Sequence, residues 1–298
     1  MEFIRPGTQI DFMKLRRIAF ITSIVFIVAS IFSIFIQGLN YGIDFAGGTV
    51  VQVKFSQTTK TEDVRASLAP AGLSDARIQS LGAEGENKYL IRTPRQDSAS
   101  GDIAVKFEKL FRETFGDENV EILGVEMVGS EVSEDLKEKG ILSLFYAGIG
   151  ILIYIWWRFE FKFSLGAIMA LLHDVIITVG IFSITGREIN LTVVAALLTI
   201  IGYSLNDTIV VFDRIRENLK KEGVSGFISV LNTSISQTLS RTLLMSLTTF
   251  VVVLCLFMLG GEVINNFAFA MMIGVIIGTY SSIFIASPVL LLLTPAKK

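Results

Sequence analysis

Six apolar runs, each long enough to cross a bilayer or nearly so, constrain this 298-residue chain more than any other feature. They cover residues 18–37, 141–157, 163–185, 191–212, 243–259 and 267–293. A spanning helix needs about 20 mostly apolar residues, because nothing in the hydrocarbon core can satisfy an open backbone. Charged residues make up only 18% of the chain, against about 25% in soluble domains. The second run is the shortest and ends at Trp156 and Trp157, residues that favour the membrane interface. The sixth is long enough to tilt. The first is too long for a cleaved signal peptide, and residues 38–41 lack a small-x-small site, so it reads as a retained helix. The expectation is an α-helical polytopic membrane protein with six transmembrane helices, not a soluble enzyme. Cys255 lies in the fifth run, cannot form an internal disulfide, and is expected to be a buried packing thiol.

Charge gives orientation. Outside residues 39–139, thirteen Lys/Arg fall at the N-terminus (Arg5, Lys14, Arg16, Arg17), at Arg158 and Lys162, between Arg214 and Arg241, and at Lys297 and Lys298. The opposite loops carry one, Arg187. By the positive-inside rule both termini are cytoplasmic, and the segment between the first two helices is extracytoplasmic. That segment holds 12 Lys/Arg against 18 Asp/Glu, a net of −6, which argues against a nucleic-acid surface. Three parts follow: residues 1–38 with the first helix, the domain 39–139, and residues 140–298 with helices two to six.

The domain alternates strands and helices. Residues 49–55 have the period of a half-buried strand. Thr59 and Glu62 have the spacing of a capping box before an amphipathic helix over 62–71. Residues 77–81 and 88–93 read as strands flanking a turn. Ile103, Phe107, Leu110, Phe111 and Phe115 share one helical face, and 120–128 is a last strand. The order β-α-β-β-α-β predicts a ferredoxin-like α+β domain. Residues 130–139 form a charged helical lead into the second span. The 4–5 link is read as a continuation of helix 4 followed by an amphipathic approach to helix 5.

An ionisable group inside a membrane span is costly and therefore a candidate functional site. Asp207 in the fourth span, Arg241 entering the fifth, and His173–Asp174 in the third qualify. Counted from the loops, Asp207 and Arg241 differ by only ~3 Å in depth, so they can pair; Asp174 lies ~9 Å nearer the outside. Thr192, Ala195, Ala196, Thr199, Gly202, Tyr203 and Asn206 recur at helical spacing, a stripe suited to close contact with another helix. Burial favours the neutral acid and a nearby guanidinium favours the carboxylate. A carboxylate alternating between those surroundings carries protons, whereas a static pair would only join two helices. Asp213, Arg214, Arg216 and Glu217 read as an interfacial charge cluster. Ala270, Gly274 and Gly278 read as a packing seam. Gly202-Tyr203-Ser204 with His173 is a weak match to an intramembrane serine protease. No P-loop pattern occurs.

Several segments together resemble the SecD/SecF family of bacterial protein-export membrane proteins, and its SecF branch in particular. Asn40-Tyr41-Gly42-Ile43-Asp44-Phe45-Ala46-Gly47-Gly48-Thr49 is similar to that family's GxDFxGG signature, with Gly42, Asp44, Gly47 and Gly48 at its defined positions. From the residues alone, these glycines also suit a tight turn into the first strand. Gly202-Tyr203-Ser204-Leu205-Asn206-Asp207-Thr208, then Phe212 to Asn218, Gln237 to Thr242 and His173-Asp174 extend the likeness over essentially the whole chain. The resemblance implies an RND-type half in the bacterial inner membrane that pairs with SecD, assists the SecYEG channel and has YajC as a further candidate partner. It implies use of the proton-motive force to complete export of unfolded preproteins. Asp207 and Arg241 match the family's proton-relay residues, with Asn206, Asp174 and His173 as supporting polar groups. It implies no cofactor, no metal and no ATPase or hydrolase site. H⁺ is the expected coupling ion and Na⁺ the alternative. Two other functions fit the same helices: an RND-type exporter of small molecules or lipids, and an assembly scaffold.

Overall fold

The computed structural model describes residues 10–73, 76–81, 86–93, 100–222 and 226–294. Arg5, Lys297, Lys298 and the turn at 82–85 lie outside them, as does the side chain of Ile103. Along the chain, the helices are α1 Arg16–Gln37, α2 Ile43–Ala46, α3 Thr61–Leu68, α4 Ser100–Phe115, α5 Ser130–Arg158, α6 Phe161–Thr185, α7 Leu191–Glu222, α8 Phe227–Leu259, α9 Glu262–Ser281 and α10 Ser287–Leu293. The main strands are β1 Gly48–Phe55, β2 Arg77–Leu81, β3 Lys88–Thr93 and β4 Val120–Val128. The chain divides into two compact units, one of residues 1–40 with 140–298 and one of residues 41–139.

In the membrane unit, six helical segments are long and apolar enough to span a bilayer: Phe12–Gln37, Ser130–Arg158, Phe161–Thr185, Leu191–Lys221, Phe227–Leu259 and Val263–Leu293. Several of these helices outrun the apolar stretches because polar residues continue the helix beyond the hydrocarbon. Thus α7 and α8 leave only residues 223–226 between them. Burial is uneven. α6, α7 and α9 form the interior, whereas α5 and α8 present mostly exposed apolar side chains such as Trp157, Val252 and Leu259. Exposed apolar faces of this extent belong against lipid or a partner, not water. Cys255 lies on this open side of α8 and is exposed. The buried thiol expected from hydropathy is therefore not found, since an apolar neighbourhood in sequence does not distinguish core from lipid.

Two close approaches set the interior. Ser30 of α1 packs directly on Gly180 of α6, where an added Cβ would come within 2.1 Å of the serine Cβ. The small seam of α9 seats α7, with Ile200 over Gly274 and Ser204 over Gly278. The sixth span is not a uniform α-helix. A π-helical turn, Ser282–Ala286, separates α9 from α10, and the Ser287 hydroxyl donates to the Ser282 carbonyl at 3.0 Å. Such turns widen the backbone ladder locally and are frequent at functional sites.

The α+β unit has one antiparallel sheet in the order β2-β3-β1-β4. This is the split β-α-β-β-α-β arrangement expected from the sequence. Val51, Val53, Phe55, Tyr89 and Ile91 face one side and bury Phe107 and Phe111 of α4 and Val64 and Leu68 of α3. Both phenylalanines are fully buried, so this core stands on aromatic packing. α3 differs from expectation at both ends. Its N-cap is Lys60, whose N–H donates to Asp63 Oδ2 at 3.2 Å, while the Thr59 hydroxyl donates to the Gln57 carbonyl. Pro70 lies in a 3₁₀ turn that follows α3, so the helix ends at Leu68 rather than Ala71.

Candidate functional site in the membrane unit

Asp207 is 2% exposed on α7. It lies near the middle of that 32-residue helix, a position its sequence reaches without a break in helical periodicity. Its carboxylate accepts from Ser246 Oγ of α8 at 3.4 Å. Ser246 is itself met by Thr279 Oγ1 of α9 at 2.7 Å and by the Tyr203 hydroxyl at 3.4 Å. Hydroxyls from α7 and α9 thus converge on Ser246 of α8, the side chain that donates to the carboxylate.

Arg241 does not close an ion pair with Asp207. Its guanidinium is within electrostatic reach of the carboxylate, yet the residue is exposed. The loop count missed this because it took the outer ends of the two helices as level. Ser246, five residues on from Arg241, occupies the level of Asp207, which moves Arg241 about 7–8 Å along the axis. Arg241 instead lines an open cleft of about 400 Å³ together with Tyr154, Arg158, Asp213, Arg214 and Gln237.

The charge cluster at that end of the bundle forms two sets of contacts. Arg216 pairs with Asp213 at 2.9 Å and Arg214 with Glu217 at 2.6 Å. Arg214 Nε also donates to Gln237 at 2.6 Å. Asn218 donates to Ser234 and Gln237 at 2.9 and 3.0 Å, clamping the long extensions of α7 and α8 together. At the other end Arg187 stacks over Phe269 at 4.1 Å and donates to Asn265 and Asn266.

Asn206 is adjacent to Asp207 in sequence but turned about 100° away on the helix, and it is exposed. Ala195, Thr199 and Gly202 are exposed with it, so much of the small polar stripe is left uncovered by the described residues. A polar stripe at membrane depth is suited to a helix, not to lipid.

His173 and Asp174 form a second buried centre, 2% and 0% exposed. His173 Nδ1 meets Asp174 Oδ1 at 2.9 Å. Asp174 Oδ2 accepts from Ser204 of α7 at 2.6 Å and from Ser281 of α9 at 2.8 Å. His173 Nε2 meets Ser23 Oγ of α1 at 3.2 Å, and the imidazole stacks on Tyr280 with centroids 5.9 Å apart. Sequence reasoning did not single out Ser23, Ser246, Thr279, Tyr280 or Ser281. The signal was present as hydroxyls inside apolar spans, notably Ser23, Ser30 and Ser33 of α1 and the run Thr279 to Ser282.

In the other unit the signature residues form α2, bracketed by Gly42 and by Gly47 at φ +68°. The Gly47 N–H closes on the Ile43 carbonyl at 2.9 Å. Gly48 then enters β1 at φ +123°, a left-handed backbone that favours glycine. Ile43 packs on Val50, Leu81 and Leu90, covering the sheet face opposite α3 and α4. Asp44 is partly buried in that helix. Next to Leu90 on the same sheet face, Arg77 and Arg92 are cross-strand partners. Burial, and then the Arg77 charge, lower the pKa of Arg92 from its ordinary value. Among the described residues no group of three or more His, Cys, Asp or Glu is placed to hold a metal.

Comparison with known proteins agrees over nearly the whole chain. Residues 106–296 match the family model for the protein export membrane protein SecD/SecF, C-terminal, and residues 32–59 match the SecD/SecF GG motif. The protein translocase subunit SecF of Desulfurispirillum indicum is 48% identical, covering 96% of this chain and 92% of that relative. SecF of Vibrio alginolyticus is 44% identical over 96% of this chain and 90% of its own length. A crystal structure of SecDF, a translocon-associated membrane protein from Thermus, superposes with a TM-score of 0.86 at 34% identity and covers 96% of this chain. SecDF in a super-membrane-facing form gives a TM-score of 0.70 at 32% identity. This chain spans 39% of the length of each SecDF chain. With its signature turn, six spans and intramembrane aspartates in place, the chain belongs to the SecD/SecF family of protein export membrane proteins, as a SecF-type subunit.

Proposed function

We propose that the chain is the accessory subunit of a protein-export translocase that, paired with SecD, uses the proton-motive force to promote passage of unfolded preproteins across the bacterial inner membrane. One observation carries the coupling: Asp207 is buried against the Ser246 hydroxyl of the neighbouring helix, with Arg241 near it, out of contact, at the edge of an open cleft. With the guanidinium close, the carboxylate is favoured; with it withdrawn, the buried acid takes up a proton. One charge crossing the field is worth about 2.3 kcal/mol per 100 mV, enough to bias a helix rearrangement. H⁺ fits a carboxylate whose hydroxyl contact, Ser246, donates to it. Na⁺ would need that hydroxyl to turn and present a lone pair.

Pairing with SecD is supported by the exposed polar stripe of α7 and by the greater length of the SecDF chains that this one matches. The charged end bearing Arg158, Lys162 and Arg214 is assigned to the cytoplasm, which puts residues 41–139 outside, near the emerging substrate. SecYEG and YajC are the further partners in this reading, which requires no cofactor and no hydrolytic site.

Inverted vesicles depleted of the chain test the reading. Restoring it together with SecD is expected to recover the proton-motive-force-dependent completion of preprotein translocation. Normal secretion accompanied by loss of drug or lipid efflux would overturn the export reading in favour of a small-molecule exporter.

A further inference from the structure

Hydrogen-bond bookkeeping around His173 fixes more than its position. The Tyr280 hydroxyl donates to the Ala19 carbonyl at 2.8 Å, which uses its one hydrogen. Ser23 Oγ lies 3.1 Å from that hydroxyl, so Ser23 must be the donor of the pair, and its own hydrogen is then also used. At 3.2 Å from His173 Nε2, Ser23 can therefore only accept, and Nε2 carries a proton. On the other side Nδ1 faces Asp174 Oδ1 at 2.9 Å, a contact that also needs a proton between the two atoms. Asp174 Oδ2 is already occupied by the Ser204 and Ser281 hydroxyls. The dyad as arranged holds two protons, as imidazolium with carboxylate or as imidazole with carboxylic acid. In either form it is neutral overall.

We infer that the His173–Asp174 dyad is a second proton-binding site of the membrane unit, drawn here in its loaded state, and that Ser23 and Tyr280 report its loading to α1. The inference rests on the proton-coupled reading of the chain. Unloading balances as follows. The Nε2–H bond breaks, its proton leaves to water and the electron pair stays on Nε2, while the proton between Nδ1 and Asp174 ends on Nδ1, leaving imidazole and carboxylate. The Ser23 O–H then turns from Tyr280 to Nε2, and the Tyr280 O–H turns from Ala19 to Ser23. The Ala19 carbonyl loses a donor from α9, so the link between α1 and α9 changes with the proton. The site is sealed at 2% and 0% exposure, so exchange with water belongs to another arrangement of the helices.

The ionisable surroundings are few. From α9 comes Tyr280, and from α7 comes Asp207, three residues beyond Ser204 with Arg241 of α8 near it. α1 carries no ionisable side chain after Arg17, and the π-turn and α10 carry none. The two centres share helices. On α9, Thr279 holds the donor to Asp207 and Ser281 donates to Asp174. On α7, Ser204 and Asp207 are one turn apart. Moving α9 against α7 disturbs both carboxylates together.

The chain has one histidine, so ¹⁵N-histidine labelling of this subunit in its complex with unlabelled SecD in bilayers reads the site alone. The wild type is expected to carry a hydrogen on Nε2, whichever partner holds the proton between Nδ1 and Asp174, and to lose it as the pH is raised. Tyr280→Phe, which frees Ser23 to donate to Nε2, should show Nε2 without a hydrogen where the wild type has one. Asp174→Asn removes the carboxylate that shares the second proton and should abolish the change with pH. An Nε2 that is unprotonated in the wild type at every pH, or a ring unchanged in both variants, overturns the inference and leaves Asp207 untouched. Export that is indifferent to Asp207→Asn strikes the proton-coupled reading instead, whatever the ring shows.

Discussion

Among single residues, Asp207 has the simplest requirements. It has one near hydroxyl, Ser246, and one near charge, Arg241, and the two are separated along α8 by more than a turn. Ser246→Ala removes the donor while leaving the carboxylate buried. At 3.4 Å the contact is long for an O–H···O bond, so removing it should move the balance between carboxylate and acid by about severalfold, less than the ~1.5–3 kcal/mol of a short charge-assisted bond. The expected outcome is a weakened dependence of export on imposed ΔpH, with Ser246→Thr retaining most of it. Equal dependence in Ser246→Ala and wild type would remove the serine from the mechanism. At this scale the sequence identified the charged residues but not their partners. Asp207, Arg241, His173 and Asp174 stand out because charge in an apolar span is conspicuous. Ser246 and Tyr280 do not, because hydroxyls are tolerated in spans for many reasons, and only the packing of α8 and α9 shows where they point.

For the elements, the close crossing of α1 over α6 is the most exacting contact. Gly180→Ala puts a Cβ 2.1 Å from that of Ser30, too close to be absorbed by a rotamer change. Such overpacking costs about 1–3 kcal/mol and forces α1 outward. Thermal unfolding of the purified complex should show a lower midpoint for this variant. Gly148→Ala is the control, because nothing lies within 4 Å of that position. A midpoint equal to that control would mean the helices do not cross this tightly. Element types were legible because a membrane forces long apolar helices and a half-buried sheet forces alternation. Element ends were not. The end of α3 at Leu68 depends on Pro70, and the long reach of α7 and α8 depends on Asn218, Gln237 and Ser234 meeting across them. The π-turn leaves no hydropathy signal at all, since Ser282 to Ala286 is as compatible with an α-helix.

At the scale of the whole molecule, the exposed stripe Ala195, Thr199, Gly202 and Asn206 is polar surface at membrane depth with no partner inside the described chain. Under the proposed pairing, Gly202→Leu should abolish or sharply reduce co-purification of SecD without unfolding the subunit, since nothing lies within 4 Å of that glycine. Full recovery of SecD would place the pairing face elsewhere, on the open sides of α5 or α8.

The central claim is that protonation of one buried carboxylate couples the membrane potential to export. Its most direct test is the slope of preprotein translocation rate against imposed proton-motive force in vesicles carrying wild type or Asp207→Asn, with assembly verified by SecD co-purification. The account predicts a rising slope for wild type and a flat one for the variant at equal ATP. An undiminished slope in a fully assembled Asp207→Asn complex would contradict it.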